Sequence, residues 1–214
     1  MRTLRTTLAW VAEGTALCGK AVAGLDEEAY RAPSSLPGWT RGHVVAHVAA
    51  NARALRNLVH WARTGEPTPM YSSPEQRLAD IESGAGLPAA RLTAWFEESA
   101  QQLAHAMAEL TEEQWRAEVL TAQGRTVPAS EVPWMRTREV MVHAVDLATG
   151  IRFTDLPGEF LAELRHDIVG KRGSDTVPAV QGSDADITAY LAGRSYTGVT
   201  TDDGSPAEPL APWL

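Results

Sequence analysis

The chain has very little cysteine, little lysine and no long hydrophobic run, and each shortage closes off a class of protein. Its one cysteine, Cys18, excludes an intrachain disulfide framework and any metal cluster built on thiolates. A metal site here must therefore draw on histidine and carboxylate. Lysine occurs only at Lys20 and Lys171, and the formal charge is −8 with no basic block. Binding to nucleic-acid phosphates rests on clustered Lys and Arg, so no nucleic-acid partner is expected. No apolar run approaches the ~18 residues that span a bilayer, and the opening MRTLRTTLAWVAEG lacks the apolar stretch and cleavage site of a signal peptide. The expected location is the cytoplasm, with no membrane partner.

At 214 residues and 44% hydrophobic, the chain can bury one large domain, or one large and one small. Four long stretches carry helical apolar periodicity and punctuation, at about residues 2–23, 40–64, 87–109 and 133–149, which predicts a four-helix bundle. In the first, Leu4, Leu8, Val11, Thr15, Cys18 and Val22 form one stripe, so Cys18 reads as a small buried hydrophobe rather than a nucleophile. The Pro-, Ser- and Gly-rich TGEPTPMYSSPEQRLADIESGAG reads as a long crossover with a short helix near 74–82. VLTAQGRTVPASEVP reads as an irregular connection, with Ser130 as the helix-start signal before Pro133. After Gly150 the texture changes: a helix near 156–170, a strand in TVPAVQG, a helix from Ser183 to Leu191, then a Pro- and Gly-rich tail. This gives a bundle over 1–150 and a small α/β domain over 151–214 that packs on it.

Two i, i+4 pairs carry the candidate chemistry. HVVAH sets His43 and His47 on one helix face, and EVMVH sets Glu139 and His143 on another. On the second helix Arg53, Arg56, Asn57, His60 and Arg63 share one arc, opposite Val44, Val48, Asn51, Leu55 and Leu58. His47 lies within the apolar arc and His43 at its margin, so His47 is the better ligand, although a histidine on an apolar face also serves as a hydrogen-bonded core residue. On the fourth helix Glu139, His143 and Asp146 form a stripe flanked by both Val140 and Arg136, and its direction, inward or toward water, stays open. Facing inward, Glu139 and His143 need a partner, and a metal shared with His47 satisfies all three. Three protein ligands leave open positions, the pattern of a catalytic site. Asp146 is either an acceptor that fixes a ligand histidine's tautomer or a solvated acid. Arg53, Arg56, His60, His105 and His166 read as surface residues.

LPGWTRGHVVAHVAANARAL, HWARTGEPTPMYSSPE, VLTAQGRTVPASE, WMRTREVMVHAVDLATG and GVTTDDGSPAEPLAPWL together resemble, in order, the mycothiol-dependent maleylpyruvate isomerases. These belong to the wider DinB-like superfamily of metal-binding four-helix bundles. The resemblance implies a mainly α fold, a DinB-like bundle with a small C-terminal α/β domain. That domain is shortened here, because KRGSDTVPAVQGSD is briefer than the family's corresponding stretch. It implies zinc on His47, Glu139 and His143, mycothiol as the thiol cofactor, and an essential arginine that falls on Arg194. It further implies isomerisation of the cis alkene of maleylpyruvate to fumarylpyruvate, a carboxylate-bearing small molecule of gentisate catabolism. In that scheme a thiol adds to the double bond and then leaves it, with Arg194 holding a substrate carboxylate. A mycothiol S-transferase acting on another electrophile shares the same metal motif, and a non-catalytic metal-binding bundle is a third reading. The TPMY and TAQGRTVPASE loops, expected to line the substrate pocket, favour the isomerase. No feature of the sequence sets an oligomeric state, and a monomer is compatible with it.

Overall fold

The computed structural model describes residues 2–173 and 176–213. The chain divides into two compact units, Thr3–Thr149 and the segment from Gly150 onward together with Arg2.

The first unit is built on four long helices: α1 (Leu4–Val22), α3 (Arg41–Thr64), α5 (Ala89–Ala108) and α6 (Val132–Asp146). Going round the bundle, α1 packs on α6, α6 on α3 and α3 on α5, while α1 and α5 touch only lightly. Local chemistry sets the ends. Thr3, Thr40 and Ser73 each accept a backbone N–H of the first helical turn, and Gly65 closes α3 in the left-handed conformation at φ 76°. Two shorter helices, α2 (Glu27–Arg31) and α4 (Pro74–Ala85), lie against α3. The predicted crossover helix thus exists and runs longer than 74–82, started by Ser73 with Pro74 in its first turn.

Helix α3 is the axis of the unit. Its sequence suggests one apolar arc, yet Val44 through Ala52 are all buried, because α4, α5 and α6 all pack on this helix. Alanines 46, 49, 50 and 52 let those neighbours approach. The polar arc survives only toward the C-terminal end, where Arg53 is exposed and Arg56 and His60 are half-buried.

Two expectations are corrected. VLTAQGRTVPASEVP is not irregular: β1 (Glu118–Leu120) and β2 (Thr126–Pro128) form an antiparallel hairpin with Val119 opposite Val127. Only these two valines point into the core, too short an alternation to announce a strand. Ser130 does not start α6 either; it sits in a short 3-10 turn, and the capping residue is Glu131, whose side chain makes no cap hydrogen bond.

The second unit contains α7 (Gly158–Arg172), α8 (Asp184–Leu191, capped by Ser183) and a minimal antiparallel sheet, β3 (Val180–Gln181) with β4 (Thr200–Thr201). It is the α/β segment expected after Gly150. The abbreviated KRGSDTVPAVQGSD connection holds residues 174 and 175, which lie outside the described set. No described helix is long and apolar enough to cross a membrane.

Helices α1 and α6 meet at Gly14, where an added Cβ would lie 2.7 Å from Val140 Cγ2 and 2.8 Å from Met141 Cγ. Overpacking costs about 1–3 kcal/mol, against a helix-propensity gain of about 1 kcal/mol for Gly→Ala. Gly14→Ala is therefore expected to lower the urea midpoint, by a net loss of about 1 kcal/mol. An unchanged or higher midpoint would show that the two helices separate freely.

Candidate metal centre

Helix α3 contributes His47 and α6 contributes Glu139 and His143, one turn apart. Glu139 Oε2 lies 2.8 Å from His47 Nε2 and 3.3 Å from His143 Nε2. The two imidazole rings meet edge to face with centroids 4.9 Å apart. One ligand atom from each residue falls within 4.8 Å of the other two. The stripe on α6 thus faces inward. What blurred it in the sequence is Arg136, which is itself buried.

A second ring of contacts orients the triad. Asp146, fully buried, accepts from His143 Nδ1 at 2.8 Å, which turns Nε2 of the same ring toward Glu139. Ser35 holds Asp146 in turn: its backbone N–H donates to the Asp146 carbonyl at 2.9 Å and its hydroxyl to Oδ1 at 3.3 Å. Trp39 stands with its ring centroid 5.7 Å from that of His47. His43 is used differently: its Nδ1 accepts from the Thr40 N–H at 3.2 Å and completes the capping box of α3. That commits it to the helix end, away from the triad.

Two arginines fasten α3 to α6 on either side of these residues. Arg41 donates from Nε to the Leu147 carbonyl at 2.7 Å and from Nη2 to that of Ala148 at 3.1 Å, serving the open carbonyls that follow α6. Arg136 reaches back from α6 and donates from Nη1 to the Val48 carbonyl at 2.7 Å.

The proton inventory follows from burial against partners. Burial pushes the His47 imidazolium down further than Glu139 pulls it up, so His47 is neutral. Its Nε2–H then donates to Glu139, and its bare Nδ1 faces Arg77 Nη2 at 3.4 Å. Burial alone would raise the Glu139 carboxyl, but the two imidazoles beside it hold it well below the carboxylate range. Burial also opposes a proton on His143, yet hydrogen bonds to Asp146 and Glu139 raise it to about 9. The cluster is a carboxylate joined by protons to two rings. Replacing those protons by one divalent cation uses two nitrogens and one oxygen, a borderline donor set suited to zinc.

A cavity of about 650 Å³ opens beside the triad, with His47 and Glu139 in its wall. The crossover contributes Met70, Tyr71 and Arg77 to it, and the tip of the β1–β2 hairpin contributes Thr121 to Gly124. The TPMY and TAQG loops therefore line the same space as the ligands. Arg77, with its guanidinium carbon 5.9 Å from the Tyr71 ring centroid, and Asn51 on α3 were not singled out as site residues by the sequence. Asn51 stands one turn beyond His47, a spacing that could have found it. Arg77 lies in a crossover whose path no local signal fixes. Arg194 belongs to the second unit, where it is buried and donates from Nη1 to the Ala192 carbonyl at 2.8 Å. His105 and His166 are exposed, as expected.

With His143 protonated at pH 7, metal uptake must expel that proton, because a ligating imidazole is neutral. Calorimetry in buffers of different ionisation enthalpy is expected to report release of about one proton per ion at pH 7, fading as the pH passes about 9. No release at pH 7 would show His143 already neutral. His47→Ala is expected to abolish stoichiometric metal, and Asp146→Ala to weaken binding by about 10–100-fold, both read by metal analysis after dialysis.

A family model described as the mycothiol maleylpyruvate isomerase N-terminal domain matches residues 11–148. A crystal structure of the mycothiol-dependent maleylpyruvate isomerase superposes with a TM-score of 0.92 at 41% identity, covering 98% of this chain and 97% of that one. A histidine-to-alanine mutant of the mycothiol-dependent maleylpyruvate isomerase superposes with the same TM-score and coverage at 40% identity. No curated protein gives a significant match. With its bundle matched by the family model and nearly its whole length matched by a solved relative, the chain belongs to the mycothiol maleylpyruvate isomerase family.

Proposed function

We propose that this chain is a mycothiol-dependent maleylpyruvate isomerase that uses a divalent metal, zinc, on His47, Glu139 and His143. The observation that carries the reading is the convergence of these three donors on the wall of a cavity wide enough for a small dicarboxylate. It stands in a chain similar to such an isomerase from end to end. A carbon–carbon double bond does not rotate, so cis–trans exchange needs a nucleophile that adds, permits rotation about the resulting single bond, and leaves. When bound, the metal supplies the Lewis acidity that ionises a thiol, whose pKa is otherwise ~8.5.

The protein's own residues set the rest. Asp146 keeps His143 in the tautomer that offers Nε2. Arg77 supplies a guanidinium at the cavity wall for a substrate carboxylate. Arg194, in the second unit, is proposed as an arginine needed for turnover on the strength of the family resemblance alone. The nucleophile comes from outside the chain, since Cys18 is only 1% exposed and burial pushes its thiol up to about 12.

An absorbance assay with maleylpyruvate tests this. Turnover that requires mycothiol and consumes none of it is the expected result; net thiol consumption would mark an S-transferase, and turnover without any thiol would overturn the proposal. Cys18→Ser is expected to keep wild-type turnover. With its pKa at about 12, only about one Cys18 in ten thousand is ionised at pH 8, so iodoacetamide should leave the native protein unmodified. Arg194→Ala is expected to impair turnover with metal content intact, and unchanged kinetics would remove it from the site.

A further inference from the structure

Asn51 is 4% exposed, lies on α3 one turn after His47, and lines the same cavity. Its Oδ1 accepts from Arg136 Nη1 at 3.1 Å, the same nitrogen that donates to the Val48 carbonyl. A guanidinium has five donors and no acceptor, so only the amide oxygen can face it. The Asn51 amide is therefore locked in one of its two orientations, with Nδ2 turned away from Arg136. Among the described residues no group accepts a hydrogen bond from Nδ2. Arg136 is 1% exposed and fixed by its bond to the α3 backbone, so this is a rigid donor beside the metal ligands, aligned before any substrate arrives.

We propose that Asn51 Nδ2 is a catalytic hydrogen-bond donor to the substrate oxygen that becomes negative during isomerisation, and that Arg136 is the residue that positions it. The inference rests on the isomerase reading. In maleylpyruvate the alkene is conjugated with a ketone. As the carbon–sulfur bond forms, the alkene's π pair moves to the ketone oxygen and gives an enolate with a single bond where the double bond stood. After rotation the pair returns, the carbon–sulfur bond breaks, and the thiolate leaves unchanged. No proton or electron is gained or lost overall. A neutral amide suits the enolate oxygen because it stabilises charge as that charge appears, yet does not bind the ketone tightly.

The test uses the metal-loaded enzyme with mycothiol. Asn51→Ala is expected to keep full metal content and KM for maleylpyruvate within about threefold, while kcat falls about 10²–10³-fold, the usual effect of losing one such donor. Asn51→Asp, which offers no N–H, should be no better than the alanine variant. A binding arm needs no turnover. The nitronate form of 3-nitropropionate, a stable mimic of a carboxylate-bearing enolate, should bind the alanine variant more weakly by a similar factor, whereas maleate should bind both proteins alike. Arg136→Met should lower kcat without raising KM, and adding Asn51→Ala to it should lower kcat little further, because an unheld amide no longer serves. A kcat for Asn51→Ala within threefold of wild type, or equal nitronate affinity, overturns the role of Asn51, and additive losses in the double variant overturn the positioning role of Arg136. If the wild-type enzyme does not isomerise maleylpyruvate, the proposed function fails while the nitronate comparison still decides on Asn51.

Discussion

The carboxylate of Glu139, held between the imidazoles of His47 and His143, is the interaction on which the first unit is arranged. A charge removed from water inside a helical bundle is tolerated only if its partners are fixed, and here they come from two different helices. That requirement explains why α3 and α6 run so close, and why each side of the contact is fastened by an arginine. Arg41 ties the start of α3 to the residues ending α6, and Arg136 ties α6 to the backbone next to His47. The two bonds flank the contact between Glu139 and His47, 2.8 Å here. The same logic reaches Ser35 and Trp39, whose loop packs against Asp146 and His47 and so belongs to the site despite lying outside the helices.

The charges of this seam balance in number. Glu139 and Asp146 are negative, while His143 and Arg136 are positive. Burial lowers the Arg136 guanidinium to about 10, still far above neutrality, so it remains charged. Exchanging the His143 proton for a divalent cation leaves the seam with one positive charge in excess. An anion entering the cavity would restore the balance, which is consistent with the proposed use of an ionised thiol.

How much of this the sequence discloses depends on whether a residue's role is local. Helices α1, α3, α5 and α6 are legible because their apolar periods are written within each segment, with caps at Thr3 and Thr40 adding to the signal for α1 and α3. The choice of His47 over His43 is legible for the same reason: helical phase places one in the apolar arc, and the structure commits the other to its own helix cap. The inward direction of the Glu139, His143 and Asp146 stripe is not legible, because Arg136 beside it reads as a solvent-facing charge. Its burial depends on acceptors offered by Val48 and Asn51, 88 and 85 residues away. The β1–β2 hairpin escapes for a different reason, since a strand pair that buries one valine per strand carries almost no periodic signal. Arg77 escapes because its meeting with His47 is a property of where α4 lands on α3, which no spacing within the crossover encodes.

The metal ligands and the cavity lining also differ in what change they tolerate. The three donors sit on packed helices, where a shift of an ångström would break the cluster. Tyr71, Arg77 and the Thr121 to Gly124 turn sit on a crossover and a hairpin tip, which accept substitution far more readily. An isomerase and an S-transferase of this kind can therefore share the three metal donors and diverge in the groups that face the substrate. What separates them chemically is the fate of the thiol adduct. A transferase lets the adduct leave, whereas an isomerase must hold it long enough to rotate and collapse. Retention needs cationic or donor groups that keep gripping the substrate's carboxylates and enolate oxygen while the thiol comes and goes. On this chain the cavity wall holds such groups in Arg77 and Asn51, and the part of the protein that decides between the two reactions is the part that faces the substrate, not the part that faces the metal.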